Sequence, residues 1–204
     1  MGTTSNYSWP TPEATDLVKD GWEAIKDLGD AADASLKTVS DASGLVHINT
    51  TSFSAVSAIS IEDVFSATYK NYRILLNHSN SAGAVTTRLR FRNAGSDAST
   101  NYYYSGIQTY SSSATINSYR GDNLTFAELG DGDGASSYAC TIDIFSPFEN
   151  SYTRFSDHFI GRLNNYKSFM VQGGHDTIGS YSGFTIYVAS GTITGSITVM
   201  GYKA

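Results

Sequence analysis

Two carboxylates in a glycine-rich stretch are the first residues whose type and spacing could bind a ligand. Asp131 and Asp133 stand two positions apart after Glu128, which resembles the start of a calcium-binding loop. The bidentate glutamate that closes an EF-hand loop is missing at its proper distance. We therefore predict an exposed turn here, and a chain that holds no metal and no cofactor.

The sequence shows no recognisable set of catalytic residues for hydrolysis. No serine stands in the Gly-x-Ser-x-Gly context of a nucleophile elbow, and Cys140 has no obvious basic neighbour that would activate a thiol. We predict that this single cysteine is a small core residue and that the chain is not an enzyme. The histidines lack metal-ligand spacing; they are His47, His78, His158 and His175.

Arginines and tyrosines offer binding chemistry instead. Arg88, Arg90 and Arg92 alternate along a predicted strand and therefore share one face. They either form a solvated face, pair with acids of a neighbouring subunit, or bind an acidic polysaccharide. Tyrosines are concentrated between residues 101 and 120, where rings with a polar tip suit both interface packing and sugar stacking. The predicted glycan-binding residues are Tyr102, Tyr103, Tyr104, Tyr110, Tyr119 and Arg120.

Composition narrows the class of protein. The 204 residues are 40% hydrophobic but only 16% charged, and 14 of them are tyrosine. Such surfaces suit packing against other subunits or contact with sugars, whereas a net charge of −6 disfavours a phosphate backbone. No nucleic-acid partner is expected. Neither a secretory signal nor a membrane-spanning stretch is expected, because no long apolar run occurs.

The predicted secondary structure that positions these residues changes from helix to strands near residue 44. Before it, the pattern predicts an amphipathic helix in which Thr11 caps and Pro12 opens the first turn. Apolar and small residues then recur at spacings of four and three, as in a coiled-coil seam. Because Gly21 and Gly29 weaken an isolated helix, the seam needs a partner, which is either this chain's own β domain or another copy or protein. The predicted assembly residues are Trp9, Val18, Trp22, Ile25, Ala32, Leu36 and Val39.

After residue 44 the apolar residues follow a period of two, interrupted by turn clusters. We predict a mainly β chain: an N-terminal helical anchor (residues 1–44) followed by an antiparallel, jelly-roll-like β-sandwich (residues 45–204). The predicted strands are residues 45–51, 55–61, 72–77, 85–92, 102–108, 138–145, 155–163, 168–173, 183–189 and 192–202.

Three segments carry a resemblance to virion structural proteins of tailed bacteriophages. Residues 6–29, with Trp-Pro-Thr-Pro followed by Thr-Asp-Leu-Val-Lys-Asp-Gly, resemble the head of fibre- or spike-like proteins, although Ser8 stands where glycine is common and Trp22 where a small residue is usual. Residues 65–76 and 190–202 are similar to the β domain of the same proteins.

The resemblance implies a trimeric appendage made in the host cytoplasm and located in the virion, docked on capsid or tail proteins by its N-terminus. It also leaves room for binding of host surface polysaccharide. A free-standing carbohydrate-binding module is the alternative, and a polysaccharide depolymerase is the third hypothesis.

Overall fold

The computed structural model describes residues 2–13, 17–42, 44–82, 85–132, 137–162 and 166–203. The chain forms two compact units. One holds the described residues up to Gly44 together with Lys203, and the other holds Leu45–Tyr202.

The first unit begins with a β-hairpin, so the prediction that Thr11 and Pro12 start a helix is wrong. Strand β1 (Gly2–Thr3) pairs antiparallel with β2 (Pro10–Thr11). The backbone there is engaged in the hairpin instead: the Trp9 amide donates to Thr4 Oγ1, and the Thr4 amide donates to the Trp9 carbonyl. A local capping signal does not reveal this pairing.

A 3-10 turn (Val18–Asp20) leads into helix α1 (Gly21–Ala42). The hairpin contacts this helix, and Trp9 Nε1 donates a 2.9 Å hydrogen bond to Ser35 Oγ. Ser8 lies in the hairpin turn with φ 53°, a conformation that favours glycine. Among the described residues, no helix combines the length and apolarity needed to cross a bilayer.

The second unit is built from strands. All ten predicted strands are found, and most of their ends agree within four residues; the strand that begins at Leu45 continues to Val56 and the one that begins at Tyr166 continues to Gly179, and residue 163, a predicted strand end, lies outside the described residues. Three further strands, β7, β9 and β10, were not predicted. The strands are β3 (Leu45–Val56), β4 (Ala58–Ile61), β5 (Asn71–Asn80), β6 (Val85–Asn93), β7 (Ser96–Asp97), β8 (Tyr102–Tyr110), β9 (Ser113–Leu124), β10 (Ala127–Gly132), β11 (Ser137–Phe145), β12 (Ser151–Arg162), β13 (Tyr166–Gly179), β14 (Gly183–Val188) and β15 (Ile193–Tyr202).

The strand order is that of a jelly roll, as predicted. One sheet contains the run β3-β15-β5-β11 and the other the run β4-β14-β6-β10. These eight strands can be numbered 1 to 8 in chain order. The first run is then 1-8-3-6 and the second is 2-7-4-5, which is the order of two interleaved Greek keys. All the pairings are antiparallel.

Two inserted hairpins widen the first sheet beyond this core. The sheet continues past β11 through β12, β13, β8 and β9 to a total of eight strands. Strand β10 of the opposite sheet contacts all four added strands. Phe159 and Phe169 lie on the covered face of this extension with ring centroids 5.8 Å apart, and both are fully buried.

One buried carboxyl group lies among these apolar side chains. Asp157 on β12 is fully buried, and burial raises its pKa to about 9. Its Oδ2 lies 3.9 Å from the Cys140 sulfur, which donates to it, while Oδ1 has no hydrogen-bond partner in the described part of the chain. Cys140 itself is buried, as predicted.

Replacing Asp157 by asparagine is expected to reduce the pH dependence of stability. Because the folded-state pKa is raised above the ordinary 3.8, the folded protein holds a proton that the unfolded chain releases. Stability is therefore full at low pH and falls as pH rises toward 9, by up to about 1.4 kcal/mol per pH unit. Thermal unfolding between pH 5 and 8 measures the slope, which should be shallower in Asp157→Asn.

Asp143→Asn is the matched control. Burial alone would raise the pKa of Asp143, but hydrogen bonds from Arg73 and Tyr202 lower this pKa below its usual value. The Asp143 carboxylate therefore stabilises the fold at pH values above its unfolded-state pKa, and this stabilisation is lost as the pH falls. Replacing Asp143 by asparagine should thus destabilise the protein at neutral pH. Equal slopes for wild type and Asp157→Asn would show that Asp157 is ionised in the folded state.

Candidate glycan-binding groove and assembly seam

The three arginines of β6 are engaged within their own chain. Arg92 forms ion pairs with Glu62 and Asp97. Arg88 lies 3.5 Å from Glu128, and Arg90 Nε donates to the Thr125 carbonyl. Their partners therefore include acids of the same protomer, and the β6 face offers little free cation for a ligand.

Two of the predicted glycan-binding tyrosines are core residues. Tyr102 is fully buried and Tyr104 is 5% exposed, so neither ring can stack on a sugar. This corrects the prediction for both. Tyr102 accepts a hydrogen bond from the Phe91 amide and packs between the sheets.

Tyr104 and Tyr119 instead converge on one carboxylate. Their hydroxyls donate hydrogen bonds of 3.0 and 2.9 Å to Glu128 Oε2 on β10. Burial, and then the nearby Glu128 charge, raise the pKa of both phenols above the usual range. Tyr119 thereby links hairpin β8–β9 to the second sheet. Its half-buried ring packs against those of Tyr104 and Phe169, which corrects its prediction as a sugar-stacking residue.

The remaining three predicted residues lie at different places on the extension. Tyr110 is half-buried, and the Lys167 ammonium lies over its ring, 5.4 Å from the centroid. Arg120 on β9 is exposed. Tyr103 is 37% exposed and lines an open groove of about 850 Å³ on the outward face of the large sheet.

Three aromatic side chains surround this groove. Phe145 on β11 and Tyr152 on β12 join Tyr103, and they are 41% and 42% exposed. Polar side chains also line the groove, notably Ser156 and Gln172, which pair with each other on β12 and β13 two positions along from Arg154 and Gly174. We refer to this site as the Gly174 groove, after the residue at its floor.

The floor is open because Gly174 has no side chain. The pairing register places Phe145, Arg154, Gly174 and Tyr103 side by side on four adjacent strands. A Cβ at Gly174 would lie 2.8 Å from the Thr153 carbonyl oxygen, closer than real Cβ atoms approach. The close strand contact therefore requires glycine, and the gap follows from it.

The groove contains one cation without an ion-pair partner. No carboxylate of the described residues lies within ion-pairing distance of Arg154, whereas the nearby Asp143 receives two 2.8 Å hydrogen bonds from Arg73. Asp176 is the one carboxylate among the residues that line the groove.

The sequence analysis did not predict Phe145, Tyr152, Arg154 and Gln172, which line the groove, as candidate site residues. Their outward positions could be read from the alternation of each strand. Their proximity to Tyr103 depends on the pairing of β11, β12, β13 and β8, which no local pattern specifies.

The acidic stretch is not a simple turn. Asp131 belongs to strand β10 and pairs with Lys167 Nζ at 2.7 Å, while Asp133 lies outside the described residues. Within the described ranges, no group of three or more histidine, cysteine or acidic side chains is arranged to hold a metal ion. His78 and His175 are buried, and burial lowers the pKa of both, to about 4 for His78.

The predicted assembly seam on α1 is exposed in the isolated chain. Trp22, Ile25, Leu36 and Val39 are 65–68% exposed, and Val18 in the 3-10 turn is 97% exposed. Ala32 and Trp9 are half-buried. Four large apolar side chains thus lie along one helix face in contact with solvent.

Searches against protein-family models and against curated proteins find no match to this chain.

Adjacent tyrosines should respond very differently to truncation. Tyr104→Ala removes a buried ring and should lower the free energy of unfolding by about 3–5 kcal/mol. Tyr103→Ala removes a partly exposed ring and should cost about 1 kcal/mol or less. Urea unfolding measures both. Similar losses at the two positions would contradict the inward and outward assignments of β8.

Proposed function

We propose that this protein is a tailed-bacteriophage virion structural protein, a homotrimeric appendage that docks by its N-terminal unit and displays the jelly-roll domain. The observation that carries the proposal is the exposed apolar seam of α1. The resemblance of residues 6–29 to the N-terminal segments of phage fibre- and spike-like proteins supports the same role. Capsid and tail are both possible attachment sites.

An exposed seam of this kind favours a partner on energetic grounds. Fully burying a large aliphatic or aromatic side chain stabilises an assembly by about 1.5–3 kcal/mol, and the seam offers Trp22, Ile25, Leu36 and Val39. Another copy of the same helix is the simplest partner, since the heptad spacing is self-complementary. Gly29 and Ala32 on the same line allow helices to approach closely.

The N-terminal hairpin restricts which face of α1 is free. It contacts the helix and is tied to it by the bond from Trp9 to Ser35. Ala24, on the helix but off the seam, is 3% exposed. The seam is therefore selectively accessible, as expected for a helix that uses one side for its own chain and another for assembly.

The β domain offers a second surface for contact between copies. Ile107 and Met170 are neighbours across β8 and β13, and both are over 40% exposed, as are Ile160 and Tyr166 on the same outward face. In the proposed assembly the seam is the main interface, and this sheet surface is a secondary one.

The Gly174 groove favours a free-standing carbohydrate-binding module as a second candidate function. The exposed seam is the discriminating feature, because a free lectin has no need of it. Glycoside hydrolysis ordinarily requires two carboxyl groups flanking the bond, and the described lining of the groove holds only Asp176. A depolymerase is therefore not proposed for this groove.

Trp22→Asp combined with Ile25→Asp should convert the assembly to monomers with a folded β domain, because two buried charges would oppose helix association. Light scattering coupled to size exclusion should give about three times the 21.9 kDa chain mass for wild type and about one chain mass for the double variant. Partial retention of the oligomer would assign part of the interface to the β domain.

Ala34→Asp combined with Thr38→Asp is the matched control. It adds the same two charges to the same helix at exposed positions away from the seam, and it should leave the mass unchanged. A monomeric wild type, or a double seam variant that keeps the full mass, would overturn the assembly role. Absence of the chain from purified particles in virion proteomics would overturn the virion assignment.

A further inference from the structure

We infer that the Gly174 groove binds an acidic sugar residue, of the uronic acid type, within a polysaccharide. This inference deepens the proposed function, because it names a ligand class for the displayed domain, and it places the site away from most of the tyrosines that the sequence favoured.

The groove has the width of a single sugar ring. Tyr103 and Arg154 flank Gly174 on its two neighbouring strands, so their Cα atoms lie about 10 Å apart, two strand spacings. With no side chain between them, a ring can lie on the backbone of β13. Gly173 beside it is equally constrained, since a Cβ there would lie 2.2 Å from the Tyr103 carbonyl oxygen.

Aromatic and polar groups are combined as sugar recognition requires. The rings of Tyr103, Phe145 and Tyr152 are each partly exposed, and an aromatic face suits the apolar C–H face of a pyranose. Gln172 and Ser156 line the groove beside the row that carries Phe145 and Tyr103, and they supply amide and hydroxyl groups for sugar hydroxyls. A few oriented polar groups within an aromatic cleft are typical of small-ligand sites.

Arg154 selects for an acidic sugar. Its guanidinium is a planar fork that matches a carboxylate through two parallel hydrogen bonds, and no described carboxylate pairs with it. Arg73, the other arginine near this end of the sheet, is already occupied by Asp143. A ligand carboxylate would form an ion pair with Arg154, the only unpaired cation among the groove's described residues.

Asp176 gives the site a direction. It follows Gly174 by two positions on β13, so it lies on the same face one step along the strand. Its negative charge repels a ligand carboxylate at that end, while its oxygens accept hydrogen bonds from sugar hydroxyls. The acid group is thereby directed to Arg154 and the hydroxyl groups to Asp176.

The test compares acidic and neutral sugars of matched shape. NMR titration of the full chain uses the methyl glycosides of glucuronic and galacturonic acid, each paired with the glycoside of glucose or galactose. Single sites of this type bind with dissociation constants of about 1 mM. In at least one pair the acid should bind about threefold more tightly at low salt, as for one partly exposed ion pair.

Variants separate the two halves of the site. Arg154→Gln should bring the ratio of acid to neutral affinity to about one, and Arg154→Lys should retain part of the preference. Tyr103→Ala should weaken both sugars of a pair together, by about fivefold or more, since stacking does not depend on charge. Arg120→Gln is the matched control, because Arg120 is exposed on the same sheet outside the groove, and it should leave the ratio unchanged.

Three outcomes would overturn the inference: no binding of any of the four sugars by the folded protein, equal affinities within both pairs, or a preference that survives Arg154→Gln. The result is independent of assembly, because the groove lies within one chain. A monomeric protein that binds uronic acids would refute the trimeric appendage and support the groove as a binding site. A trimer that binds none of the sugars would support the appendage and refute the groove as a binding site.

Discussion

The inner face of the eight-stranded sheet is apolar and has to be covered, although the opposing sheet is much narrower. Strand β10 meets this requirement by lying across β8, β9, β12 and β13. It does so with a bulge at Leu129, where the pairing with β6 slips by one residue, so that Leu129 and Gly130 both face inward. Gly130 allows a close contact, since a Cβ there would lie 2.6 Å from the Phe159 ring. Without this strand the added hairpins would expose Phe159 and Phe169.

The same strand fixes the position of the groove. Glu128 of β10 holds Tyr104 and Tyr119, and through them the hairpin β8–β9. Because Tyr104 is directed inward, its neighbour Tyr103 must be directed outward, to the edge of the groove. The hydrogen bonds from the two phenols to Glu128 thus fix which side of β8 faces outward, because side chains alternate along the strand. The groove is a consequence of how the extension is attached to the jelly roll.

The two units have surfaces of different chemistry. The first presents an apolar helix seam and the second a groove of aromatic, amide and charged groups, and the proposed roles follow from this difference. Apolar seams suit permanent association, whereas a single sugar site is weak. Linking three such sites in one trimer would raise the effective affinity for a repeating polysaccharide without a new contact, so assembly and display would depend on each other.

Local pattern in the sequence was sufficient for the ten strands, the helix between residues 21 and 42, and the burial of Cys140. These features depend on alternation and spacing over a few residues, which each segment carries by itself. The hairpin ahead of α1 was missed because it depends on pairing between residues 2–4 and 9–11, which the capping signal at Thr11 does not reveal. Strands β9 and β10 were missed because their alternation is weak. The sequence also determined that Tyr103 opposes Tyr102 and Tyr104. Only the tertiary structure decided which side is inward, because the second sheet chooses the covered face. It likewise brought Arg154 beside Tyr103, since neighbours across a sheet are set by pairing between distant segments.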